Sequence, residues 1–222
     1  MDRTDKIAPS ILSADFARLG DEIRAVERAG ADLIHFDVMD GHFVPNLSIG
    51  VPVLESVRKI TKLPLDAHLM ITNPENYLEP FAKAGANSIS VHAEVCADIP
   101  AIAARMRSLG VRASVAINPE TAVDRVLGAA EHLDMILVMS VHPGFGGQGF
   151  ISGVLDKLRH LRKELDRRKL ELDLEVDGGV KLDNIAAVKA AGANVFVSGS
   201  GIFGHPDYAK IIATMREHLS RA

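Results

Sequence analysis

Ala29-Gly30-Ala31-Asp32-Leu33-Ile34-His35-Phe36-Asp37-Val38-Met39-Asp40 closes a helical pattern, turns on a glycine and enters an apolar run. The same joint recurs as Ala84-Gly85-Ala86-Asn87 ahead of Ser88–His92, and as Ala191-Gly192-Ala193-Asn194 ahead of Val195–Ser198. Glycine just past a helix supplies the left-handed residue that helix termination favours, and Gly110 fits the same position. A helix-to-strand joint used repeatedly marks a βα unit used repeatedly.

Working outward, short apolar runs alternate with amphipathic stretches along the whole chain. The spacing predicts strands at Ile7–Ile11, Leu33–Val38, Leu65–Met70, Ser88–His92, Arg112–Ile117, Met135–Val141, Leu172–Val176 and Val195–Ser198. It predicts helices at Asp15–Ala29, Pro52–Thr61, Pro74–Ala84, Ile99–Ser108, Ala122–Ala129, Gly153–Lys169, Asp183–Ala191 and Tyr208–Arg221. Leu155, Leu158, Leu161 and Leu165 show the three-to-four spacing of one helix face. Ser13, Asn73-Pro74 and Asn118-Pro119 read as caps or turns ahead of helices. Helical crossovers imply parallel strands. Eight units in 222 residues, with no glycine-rich nucleotide loop after the first strand, favour a closed (β/α)8 barrel over an open doubly wound sheet. The expected architecture is one α/β domain over residues 1–222, a TIM barrel.

Composition narrows the function. A net charge of −4 offers no basic surplus for nucleic acid or an anionic membrane, and no apolar run reaches membrane-spanning length. Arg167-Arg168-Lys169 falls at a helix end, where cations complement the dipole. The single cysteine, Cys96, cannot form an internal disulfide, and the first residues lack an apolar signal core, so a reducing, cytoplasmic setting is expected.

In such barrels the active site lies at the C-terminal ends of the strands. Ser10, His35, Asp37, His68, His142, Asp177 and Ser198 all fall there, where core-facing positions are otherwise aliphatic. Side chains alternate across a strand, so His35 and Asp37 share a face. His68 can join them from the next strand, and Asp177 from Leu172-Asp173-Leu174-Glu175-Val176-Asp177. Two imidazoles and two carboxylates suit one divalent transition metal, with zinc expected and manganese, iron or cobalt as alternatives. Met39, Met70 and Met139 read as a soft apolar wall, and His42, His92 and His142 as packing or supporting groups.

Glycine clusters are the second signal. Pro143-Gly144-Phe145-Gly146-Gly147-Gln148, Asp177-Gly178-Gly179 and Ser198-Gly199-Ser200-Gly201 follow the last three strands. Glycines let backbone N–H groups approach an anion, and barrel enzymes hold phosphate beyond strands seven and eight. Gly144, Gly146 and Gly149 spell G-x-G-x-x-G, but too late in the chain for a dinucleotide fingerprint. A small sugar phosphate would place its carbonyl over the metal, which stabilises an enediolate. Asp37 and Asp177, approaching from opposite faces, would then invert the stereocentre without an organic cofactor.

These residues closely resemble the ribulose-phosphate 3-epimerase family. The matching stretches are Ala8–Phe16, His35–Asn46, Asp66–Met70, Met139–Gln148, Glu175–Gly179 and Ser198–Phe203, in the right order along nearly the whole chain. The resemblance implies a ribulose-phosphate-binding barrel that interconverts D-ribulose 5-phosphate and D-xylulose 5-phosphate in the pentose phosphate pathway or Calvin cycle. It assigns one metal ion per subunit to His35, Asp37, His68 and Asp177. Asp37 becomes the proton acceptor and Asp177 the donor, with roles reversed in the other direction. Ser10 and His68 would touch substrate, with Gly144, Phe145, Gly146, Gly147, Asp177, Gly178, Gly179, Gly199 and Ser200 around it and its phosphate. It also implies a homo-oligomer, from dimer to hexamer. Family members often carry Asn or Glu at the position of His142 and Ala at that of Gly201. The alternatives are an epimerase of a hexulose phosphate such as D-allulose 6-phosphate, or a non-catalytic sugar-phosphate-binding barrel.

Overall fold

The computed structural model describes residues 3–222. Eight parallel strands form the wall: β1 (Lys6–Pro9), β2 (Ile34–Met39), β3 (Leu65–Met70), β4 (Ser88–His92), β5 (Arg112–Ile117), β6 (Met135–Met139), β7 (Asp173–Asp177) and β8 (Val195–Ser198). Hydrogen-bonded neighbours run β1-β8-β7-β6-β5-β4-β3-β2, and the bridge Ser10↔His35 spans the remaining seam. The structure is a (β/α)8 TIM barrel.

The surrounding helices are α1 (Leu19–Arg28), α2 (Val51–Arg58), α3 (Leu78–Ala84), α4 (Ile99–Ser108), α5 (Asp124–Leu127), α6 (Val154–Arg167), α7 (Ile185–Ala190), a short extra α8 (Ser200–Phe203) and α9 (Tyr208–Ser220). Several start later than their periodicity suggests. Phe16–Arg18 and Pro74–Asn76 are single 3₁₀ turns, and the first is capped by Asp15, whose carboxylate accepts from Ala17 N–H, not by Ser13. Asn73 makes no side-chain cap, and no helix follows Pro119 until Asp124. Gly30, Gly85, Gly110 and Gly192 do turn left-handed, with φ of 93°, 105°, 78° and 110°.

Strand alternation divides the core in two. Outward residues such as Phe36, Leu69, Val91, Ile136 and Phe196 pack with Leu158, Leu161 and Leu165 of α6 and their counterparts in one continuous belt between sheet and helices. Inward residues form only small apolar clusters, among them Ala116, Leu137, Met139 and Val141. The rest of the axis is polar. Asp66, Ser88, Ser90, Ser114 and Glu175 are buried there, where aliphatic residues are expected from sequence.

The recurring joint has a physical role at the other end of the barrel. Asp32 N–H donates to Ile7 O and its carboxylate accepts from Ile7 N–H (2.7 Å). Asn87 closes the same reciprocal ring on Leu65 (2.9 Å), and Asn194 on Leu174 (2.8 Å). Asp134 does so on Ala113 (2.8 Å), although no Ala-Gly-Ala precedes it. Each ring also takes a guanidinium: Arg216, Arg58, Arg162 and Arg107, respectively. The barrel is thus pinned as four double βα units. Replacing Asn194 by Ala leaves the buried Leu174 N–H without its partner. The variant should lose about 1–3 kcal/mol, read as a lower urea midpoint with the rim chemistry unchanged.

Candidate active site

The pleat builds the site. His35, Asp37 and Met39 of β2 face the axis, as do Asp66, His68 and Met70 of β3, and the register pairs His35 with Asp66 and Asp37 with His68. Asp177 ends β7 opposite them. His35, Asp37, His68 and Asp177 each offer a ligand-type atom, and these atoms all lie within 4.8 Å of one another. His35 Nδ1 is 2.8 Å from Asp66 Oδ2 and thereby donates its proton downward. Its Nε2 faces Asp37 Oδ1 (3.3 Å) and Asp177 Oδ2 (3.9 Å), yet is a buried nitrogen without a hydrogen-bond partner. His68 Nδ1 faces the same two oxygens at 3.3 and 3.8 Å. Asp37 Oδ2 accepts from Ser10 Oγ at 2.5 Å.

Two imidazole nitrogens and two carboxylates converging on one point, one nitrogen without a hydrogen-bond partner, fit a divalent cation, which would take the place of the imidazole proton. Asp66 beneath His35 supplies the carboxylate that would orient this imidazole toward such an ion.

A cavity opens above this cluster. Ser10, Asp37, Asp177, Gly144 to Gly147, Gly178, Gly179, Gly199 and Ser200 line it, with Met39, Met70 and Met139 on its wall. His35 and His68 are fully buried beneath it. Close packing explains two glycines. A Cβ on Gly178 (φ 122°) would stand 2.5 Å from Val141 Cγ2, and one on Gly199 2.5 Å from Ser13 Oγ. Ser13 itself lines the cavity, a site position that sequence reading misses. Other residues leave the group. His142 is exposed and pairs with Glu120 (3.3 Å), and Ser198 Oγ donates to Val180 O. His42 caps nothing at the site: its backbone N–H donates to Asp40. His92 is buried against His68, with their Nε2 atoms 2.8 Å apart.

Residues 6–203 match the Ribulose-phosphate 3 epimerase family. A ribulose-phosphate 3-epimerase of Bacillus subtilis is 50% identical over 212 residues, spanning 95% of this chain and 98% of the relative. One of Synechocystis sp. is 51% identical over 218 residues, spanning 97% and 95%. The chain belongs to this epimerase family. It is an isomerase. Among solved structures, 3-hexulose-6-phosphate synthase of Salmonella typhimurium superposes with a TM-score of 0.72 at 17% identity, covering 97% of this chain and 99% of that one. That likeness concerns the barrel alone. No helix among the described residues of this epimerase-family chain is long and apolar enough to cross a membrane.

The protein's own charges polarise the site. Burial would raise Asp37, but His35 and His68 outweigh it and hold Asp37 well below the usual carboxylate range. Burial and the charge of Asp37 push Asp177 the other way, up to about 7. Burial keeps His68 neutral, down at about 4. Burial also opposes charge on His35, yet Asp37, Asp66 and Glu175 together raise it well above an ordinary imidazole. In the metal-free protein the proton affinities of these two neighbouring carboxylates are thus driven apart.

Glu175 lies below them with both carboxylate oxygens unpartnered, and burial plus the charge of Asp66 push it up to about 8. Period-two alternation puts Glu175 on the face of Asp177, the signal that could have revealed it. A carboxyl raised on folding keeps its proton while the unfolded chain loses it, so its contribution to stability falls as pH rises from about 4.5 to about 8. In chelator-treated protein, Glu175→Gln should therefore be more stable than the parent at pH 8, with the difference vanishing below pH 4.5. Urea melts of both proteins across that range check the sign.

Proposed function

We propose that this chain inverts C3 of a ketopentose phosphate, interconverting D-ribulose 5-phosphate and D-xylulose 5-phosphate by two-base proton transfer. The observation that carries the reading is the cluster of His35, Asp37, His68 and Asp177, directly beneath a cavity rimmed by three glycine loops. His35, Asp37, His68 and Asp177 would hold one divalent ion per subunit, zinc being the expected metal. That ion would polarise the substrate carbonyl and stabilise the enediolate.

Asp37, held ionised and bonded at Oδ2 by the Ser10 hydroxyl, would take the C3 proton. Asp177, pushed up to about 7 in the metal-free protein, would return one. In the reverse direction the roles exchange. Backbone N–H groups of Gly178, Gly179, Gly199 and Ser200, at the start of α8, would cradle the phosphate with the Gly144–Gly147 loop. Met39, Met70 and Met139 would shield the reacting carbons from water. The single buried Cys96 fits a reducing, cytoplasmic setting. Pentose phosphate or Calvin-cycle metabolism, and assembly as a homo-oligomer of two to six copies, extend the family reading.

Asp37→Asn and Asp177→Asn should each lower turnover of ribulose 5-phosphate by at least about a thousandfold, within the range general acid–base groups contribute. Both variants should retain most of their affinity for inorganic phosphate. The parent, run in D2O, should deliver deuterium to C3 of the product while unreacted substrate stays protiated. Normal turnover in either variant removes the two-base assignment. Assaying D-allulose 6-phosphate alongside tests the substrate, since a large preference for the hexulose overturns the pentulose reading. Separately, exhaustive chelation should abolish activity and one equivalent of Zn2+ should restore it; full activity in protein shown to be metal-free by elemental analysis contradicts the metal role.

A further inference from the structure

Two imidazoles and a carboxylate continue outward from the site in a single line. His68 Nε2 lies 2.8 Å from His92 Nε2, with the two rings tilted by only 26°. His92 Nδ1 lies 3.2 Å from Glu94 Oε2. The other Glu94 oxygen accepts from Asn118 N–H (2.9 Å) and from the Thr121 hydroxyl. Phe43 packs on the outer face of His92, with centroids 4.5 Å apart. His92 is fully buried, and Glu94 sits at the end of the line, partly open to solvent.

With the cation, rather than a proton, between His68 Nδ1 and Asp37 Oδ1 (3.3 Å), hydrogen-bond bookkeeping leaves one pattern in which both imidazoles stay neutral. Two facing nitrogens need one proton between them, since two lone pairs or two N–H groups repel. Glu94 decides which. Burial alone would raise its carboxyl, but His92, Thr121 and Asn118 hold it down at about 2, so it only accepts. His92 must then carry its proton on Nδ1, facing Glu94. Its Nε2 becomes an acceptor, and His68 must donate from Nε2. The lone pair of His68 is thereby left on Nδ1, the nitrogen that faces Asp37 and Asp177.

We propose that His92 and Glu94 are positioning residues, a two-step relay that fixes the His68 tautomer with its Nδ1 lone pair aimed at the divalent ion. This rests on the metal reading of the cluster. The relay differs from the direct support under His35, where Asp66 touches the ligating imidazole itself. It carries the orientation of a buried ligand to the loop after β5, through Asn118 and Thr121.

The polarity can be inverted without changing shape. In Glu94→Gln the side-chain carbonyl can still accept from Asn118 and Thr121, but the amide then presents N–H to His92 Nδ1. His92 would shift its proton to Nε2, and His68 would have to protonate Nδ1, the atom the ion needs. The readout is Zn2+ affinity of the metal-free protein, measured by competition with a chelator of known affinity. Glu94→Gln should weaken binding about 10- to 100-fold, the usual cost of losing an outer partner of a metal-bound histidine. His92→Phe, which keeps a ring against Phe43, should do the same. Thr121→Val removes one donor to Glu94 but leaves its charge and Oε2, and should stay within about threefold of the parent. Co2+ spectra of Glu94→Gln should differ from those of the parent. Should His92→Phe fail to fold, Glu94→Gln carries the test. Parent-like affinity in Glu94→Gln, or an equal loss in Thr121→Val, overturns the relay. Absence of Zn2+ binding in the parent overturns the metal reading and the relay with it.

Discussion

Negative charge gathered on a dry axis is the constraint from which the rest of the site follows. Asp37, Asp66, Glu175 and Asp177 surround His35, and all but Asp177 are buried. Two unit charges about 4 Å apart repel by roughly 4 kcal/mol even at an effective dielectric of about 20. Four carboxylates cannot all ionise here without positive charge among them. The protein's own response is to protonate: His35, Glu175 and Asp177 all rise. A divalent cation answers the same demand with two charges at one point. A cluster fit for such an ion, and a carboxyl whose proton affinity rises toward neutrality without one, are therefore two consequences of one crowding.

Holding such a cluster requires a frame that does not relax. The parallel register fixes which residues face inward, since a slip by one position would turn His35 and Asp37 toward the helices and Phe36 toward the axis. Resistance to that slip comes from the opposite end. Each Asx ring at Asp32, Asn87, Asp134 and Asn194 bonds both backbone groups of a residue in the preceding strand, and an arginine from the neighbouring helix ties it outward. The apolar belt supplies the bulk of the burial and the rings supply the register. The rim is then free to carry glycine loops whose sequence serves a ligand.

The sequence shows most of this because strand alternation and helix termination are local. The joint at Ala29–Asp32, the pairing of His35 with Asp37, and the glycine runs after β6, β7 and β8 can each be read within a few residues. Beyond that reach, legibility fails. Asp134 closes a ring like the other three without their Ala-Gly-Ala, because the ring needs only an Asx before the strand and a different turn delivers it. Alternation puts Asp66 on the face of His68 and Glu175 on that of Asp177, but only closure of the barrel sets both beside His35. His142 misleads in the opposite sense. It follows a strand end, as the site residues do, but the chain has already left the pleat, and its ring points to Glu120 in solvent.

Gly201 is where one small volume is contested with Ser198. Here a Cβ would run into Ser198 Oγ and stand 2.7 Å from Val180 O. Ser198 is the last residue of β8, and its hydroxyl donates to that same carbonyl, tying β8 to the turn after Gly178-Gly179. One small volume at the base of the loops after β7 and β8 can hold either a methyl at position 201 or a hydroxyl at position 198. This chain fills it from the strand side. The hydroxyl adds a cross-loop hydrogen bond that a methyl cannot make, and glycine at 201 is the condition for it. The two positions are therefore one packing decision, and a substitution at either is to be judged only with the other in view.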